Sequence, residues 1–136
     1  MTALTKDRNT PRRSGDNRQF PVAAGAKLFA GAMGAVNAAG LAVRMTTATT
    51  IKGAGRIKRP VDNTAGAAGD LVVDIEVGIF RYENSAGADL ITKAAIGAVC
   101  YGVDDQTVAL TSGTNTRSVA GTIFDVDDQG VWVEFA

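Results

Sequence analysis

The run Asp125-Val126-Asp127-Asp128-Gln129-Gly130 has the spacing with which a calcium loop begins: carboxylates at the first and third positions and glycine at the sixth. Such a loop needs an oxygen ligand near its middle and a bidentate acid at its twelfth position, and here those places hold Gln129 and Ala136. The run therefore reads as a solvated acidic turn, as does Val103-Asp104-Asp105-Gln106-Thr107. Two glycine clusters, Gly53 to Lys58 (GAGRIK) and Gly66 to Leu71 (GAAGDL), are candidates to cradle a phosphate. The first lacks the Gly-Lys-Ser/Thr ending of a P-loop and the third glycine of a dinucleotide fingerprint. Neither precedes a helix long enough to offer its N-terminus, so both read as loops. Cys100 is the one cysteine and there is no histidine, which excludes an internal disulfide, a multi-cysteine zinc site and the commonest general base. Within Val99-Cys100-Tyr101-Gly102-Val103 the thiol reads as a small apolar residue facing other side chains. No catalytic constellation is assembled, and neither a metal nor another cofactor is expected: the chain does not read as an enzyme.

The elements that must carry these residues are strands. The chain has 136 residues, 46% of them apolar and 21% charged, enough for one globular domain. Its 16 glycines fall between short apolar runs, which predicts many turns and an all-β body, a small barrel or sandwich of short antiparallel strands. The clearest strand lies in Leu71 to Tyr82, where Leu71, Val73, Ile75, Val77 and Ile79 alternate with Asp74, Glu76 and Gly78. Straight, it would span about 40 Å, so a bend or bulge is expected near Gly78. Beyond it Phe80 and Tyr82 fall on the face that Asp74 and Glu76 mark as outer, either packed under a loop or forming a contact surface. Trp132, opposite in phase to Val131 and Val133, marks a second candidate surface. The only candidate helix is Thr92 to Ile96, barely one turn long.

That long strand is bracketed by near-identical phrases, Asp62-Asn63-Thr64-Ala65-Gly66 and Glu83-Asn84-Ser85-Ala86-Gly87. Ala65 and Ala86 exclude glycan acceptors, and the flanks share too little for a convincing duplication, so each phrase reads as a chain reversal. Phe20 to Met45, the one stretch resembling a membrane or signal segment, is interrupted by Lys27 and Asn37 and consists largely of Ala and Gly. It predicts no membrane association, and the expectation is a soluble, unprocessed intracellular product.

Residues 1–19 differ from the domain expected over 20–136. They contain one leucine and no valine, isoleucine or aromatic residue, which predicts a mobile extended arm. Up to residue 18 it carries Lys6, Arg8, Arg12, Arg13 and Arg18 against Asp7 and Asp16, a net +3 that leaves −3 on the remainder. Such an arm suits an acidic protein surface or nucleic acid, or is simply solvated; the lack of an aromatic stacking residue before Phe20 and the acidic body make nucleic acid the weaker partner.

The phrases AGAKLFAGAMGAVNAAG, DNTAGAAGDLVVDIEVGIFRYENS, IGAVCYGVDDQTVALTSGTNTRSVAG and DVDDQGVWVEFA, in that order, resemble the head cement, or capsid decoration, proteins of tailed bacteriophages over about Ala23 to Phe135. The resemblance implies a small β-rich protein made in the bacterial cytoplasm and carried on the outside of the virion head, often as a trimer, where it ties neighbouring major capsid subunits together. It brings no active-site residues, and the arm lies outside it. On this expectation Lys6, Arg8, Arg12, Arg13 and Arg18 grip the capsid, while Phe80, Tyr82 and Trp132 serve oligomer or capsid contact. The rivals are a nucleic-acid-binding accessory protein using the same arm and a ligand-binding β-barrel with a closed apolar cavity.

Overall fold

The computed structural model describes residues 2–136, and among them the regular structure is twelve strands and two single 3-10 turns, Gly87–Asp89 and Lys93–Ala95. The fold is all-β with antiparallel sheets. The first sheet is ordered β1 (Asn17–Pro21), β7 (Val72–Glu76), β5 (Ile51–Ile57), β3 (Met33–Asn37), β4 (Ala42–Arg44). The second is ordered β10 (Val108–Ala109), β9 (Val99–Gly102), β11 (Val119–Asp127), β12 (Gly130–Phe135), β8 (Gly78–Tyr82). A two-stranded ribbon pairs β2 (Lys27–Leu28) with β6 (Val61–Asp62). None of the described helices is long and apolar enough to cross a membrane.

Two apolar clusters organise these layers. One joins Met33, Ala35 and Met45 to Tyr82, Cys100, Ile123, Val133 and Phe135, so it lies between the sheets. The other gathers Val22, Leu28, Val36, Ala42, Ile57, Val73 and Ile75 on the opposite side of the first sheet, with Val61 of the ribbon packed against it. Ala35 enters the first cluster and its neighbour Val36 the second, so period-2 alternation buries β3 on both faces. The sheets approach closely where β5 passes β11: a Cβ at Gly53 would overlap the Ala120 carbonyl, which excludes any larger side chain there. Thus Gly53 to Ile57, expected as a loop, is strand; its glycines serve sheet packing, whereas Gly66 to Leu71 does form a loop.

The long strand expected over Leu71 to Tyr82 is divided. β7 belongs to the first sheet and β8 to the second, and the chain changes layers at Gly78, whose φ of +142° suits glycine. The buried positions change with the layer. Val73 and Ile75 enter the outer cluster, whereas Tyr82 is buried and Phe80 packs against the cluster between the sheets. Phe80 and Tyr82 are therefore not an outer contact surface; Leu71 and Ile79, expected inside, are exposed. Alternation identified which side chains share a face but not which face meets a core, and that relation reverses when a strand passes from one sheet to the next.

Both repeated phrases reverse the chain, each through its asparagine. The buried Asn63 amide donates to the carbonyls of Ala23 and Ala67, both at 3.0 Å. Asn84 donates to the Ile91 carbonyl at 2.8 Å and accepts from the Ser85 and Ile91 amides. Thr92 to Ile96 yields only the 3-10 turn Lys93–Ala95.

Candidate interaction surfaces

The arm is shorter than its composition suggested. Asn17, Arg18 and Gln19 belong to β1, paired with β7, because strand pairing at an edge needs only the backbone and leaves polar side chains in water. Residues 2–16 contain no helix or strand and are exposed throughout, so Lys6, Arg8, Arg12 and Arg13 all face solvent. Arg18 stands apart from these four, exposed on β1 opposite Ile75. The arm meets the body at Asp16, whose carbonyl accepts the Val77 N–H at 3.0 Å, beside the start of β8.

The second sheet presents an uncovered outer face. Directly paired residues share a face, and the register builds one row from Val99, Thr122, Glu134 and Ile79 on β9, β11, β12 and β8. A second row runs from Asp125 through Trp132 to Arg81. A bulge between Ile123 and Asp125 puts Phe124 beside that row, 54% exposed. Val99 is 43% exposed, and Val119, opposite Tyr101, is exposed as well. The inner rows, Ile123 with Val133 and Val126 with Val131, are buried.

Trp132 is half-buried on this outer face, in the phase expected from its neighbours. Its indole N–H donates to Asp127 Oδ2 at 2.8 Å, and the Arg81 guanidinium lies 5.6 Å from its ring centroid, a cation–π contact. The indole hydrogen bond, with help from the Gln129 amide, holds the Asp127 carboxyl below its ordinary range. Asp125 is lowered too, first by the Lys93 ammonium at 3.0 Å and then by the Val126 amide. The two acids that opened the calcium-like run are thus engaged by a lysine and an indole, while Asp128 and Glu134 are exposed beside them. Among the described residues no three His, Cys, Asp or Glu side chains converge as a metal set.

Cys100 is buried, its sulfur 3.6 Å from the Gly121 carbonyl oxygen, and burial pushes its thiol up to about 11, away from reactivity. A cleft of about 640 Å³ runs beside Phe29, Arg44, Arg81, Tyr82, Glu83 and Asp105. Both charge signs line it, and it is not the closed apolar cavity a ligand-binding barrel requires.

Phe80, Tyr82 and Trp132 do not form one surface: the first two face the interior and the third faces outward. Sequence reasoning missed Phe124, Val99, Val119 and Ile79. The adjacent apolar pair Ile123-Phe124 was the one available signal, since two successive apolar residues in an alternating strand mark a bulge. Comparison of the chain with protein-family models, with curated proteins and with solved structures finds no match.

Proposed function

We propose that the chain is a structural capsid decoration protein, which binds the outside of an assembled phage head and clamps neighbouring major capsid subunits. The observation that carries this reading is the outer face of the second sheet, which groups Val99, Phe124, Trp132 and Ile79 across four neighbouring strands. Exposed apolar side chains grouped on one face mark protein contacts. The resemblance of four ordered phrases to head cement proteins supplies the partner, and the all-β body agrees with it. Self-association, with a trimer favoured, belongs to the same reading; its surface is the Trp132 face and not the interior pair Phe80 and Tyr82. The exposed arm adds cations suited to an acidic partner. Each exposed ion pair contributes only about 0–1 kcal/mol, but an arm repeated in an oligomer gains through effective concentration.

Cosedimentation of the purified protein with assembled phage heads tests the reading. Saturable pelleting, absent from controls without heads, is the expected result. Failure to pellet, together with retention on DNA that salt abolishes, would replace it with the nucleic-acid-binding accessory role, for which the exposed arm arginines are the feature in favour.

A further inference from the structure

The outer face of the second sheet mixes exposed apolar side chains with acids. Val99, Phe124, Trp132 and Ile79 supply the apolar surface. Asp127 and Asp128 stand at the β11–β12 turn, Glu134 lies within a row, and Asp125 is already held by Lys93. Arg81, stacked against Trp132, is the cation of the rows and shows how a guanidinium sits on this indole.

One segment of the same chain has the complementary chemistry. Residues 2–16 carry Lys6, Arg8, Arg12 and Arg13 against Asp7 and Asp16, a net positive segment, together with Leu4, which is 72% exposed. Extended, they reach about 50 Å, and a five-stranded sheet is only about 20 Å across. The chain's own arm does not lie on its own face: every side chain from residue 2 to residue 16 is exposed. The arm is thus free to be given to another molecule, and the face is free to receive one.

We infer that the arm of one copy docks across the outer face of the second sheet of a second copy, with arginines stacked at Trp132 and paired with Asp128 and Glu134, and Leu4 set against Phe124 and Val99. The inference goes beyond the decoration reading and does not require a capsid. A repeated exchange of this kind joins copies without a large rigid interface, and because its ion pairs are exposed, salt weakens it.

The chain contains a single tryptophan, so the emission of Trp132 reports directly on this face. The test uses the full chain in three forms: wild type, an arm variant (Arg8→Glu, Arg12→Glu, Arg13→Glu) and a face variant (Asp128→Lys, Glu134→Lys). All five positions are exposed, so the substitutions leave the cores untouched. Sedimentation velocity should show wild-type self-association that shifts Trp132 emission to shorter wavelength with concentration and weakens with added salt. Each variant alone should associate at least about tenfold more weakly. Mixed, the two should associate again, since an acidic arm then meets a basic face and a basic arm an acidic one. Three results would each overturn the inference: a monomeric wild type at high micromolar concentration, an arm variant that associates as wild type does, or association that leaves Trp132 emission unchanged. A mixture that fails to regain association would likewise assign the arm another acceptor.

Discussion

The two sheets are built from the same number of strands, yet the first is buried on both faces at β3 and the second on one face only. The first sheet separates two apolar clusters, so Ala35 and Val36, adjacent in sequence, are both buried. The second sheet turns Ile123, Val131 and Val133 inward and leaves Phe124 and Val99 exposed on its outer face beside the half-buried Trp132. Both sheets contribute to the core between them, and the second has in addition a face whose composition is not explained by the folding of a single copy. Substitutions should separate the two roles.

The largest loss of stability is expected where the sheets touch. Gly53→Val places side-chain atoms into the backbone of Ala120, and overpacking against a backbone that cannot yield should cost more than about 3 kcal/mol, read as a large drop in melting temperature. Tolerance of valine there would mean that β5 and β11 do not approach as closely as described. Next is Ile75→Ala, which empties a fully buried site in the outer cluster and should cost about 2–5 kcal/mol in chemical denaturation. Tyr82→Phe should cost less, about 1 kcal/mol, since it removes the hydrogen bond to the Gly31 carbonyl at 3.2 Å while keeping the ring against Phe135.

The acid limb should show a smaller, graded effect. Asp89, Asp125 and Asp127 have folded-state values below their ordinary carboxylate range, Asp89 chiefly through the Thr111 hydroxyl, Asp125 through Lys93 and Asp127 through the Trp132 indole. A depressed folded value means that the unfolded chain binds protons first, so the stabilisation is fully present above about pH 4 and is lost as pH falls through the folded values. With no histidine to titrate, melting temperature should be level from about pH 5 to 8 and decline below about pH 4. A steep change near neutrality would contradict this assignment. The smallest effect on stability belongs to the outer face: Phe124→Ser should change unfolding free energy by no more than about 0.5 kcal/mol while weakening self-association.

Much of the architecture was legible in the chain. Glycine-punctuated apolar runs gave the all-β class, the phase of Trp132 against Val131 and Val133 gave its outward direction, and a break was expected at Gly78. Leu71 to Tyr82 shows where the reading failed. Period-2 alternation reports relative facing, and only the tertiary arrangement decides that β7 buries its odd residues and β8 its even ones. The arm boundary was missed for a related reason: Asn17 to Gln19 join the sheet through backbone pairing, which leaves no apolar signature. The exposed rows were hidden because Val99, Phe124 and Ile79 look like core residues in sequence, and only register and a bulge place them outside.

The decoration reading places the capsid contact on the outer face of the second sheet, and cosedimentation of matched variants with assembled heads distinguishes that face from the rest of the molecule. Val99→Glu with Phe124→Glu charges the face, while a control such as Lys52→Glu alters an exposed site on the first sheet; both proteins should melt close to wild type. Wild type and control are expected to pellet with heads at equal occupancy, and the face variant to stay in the supernatant. Equal pelleting of all three would contradict a capsid contact on this face and return it to the arm or to the first sheet.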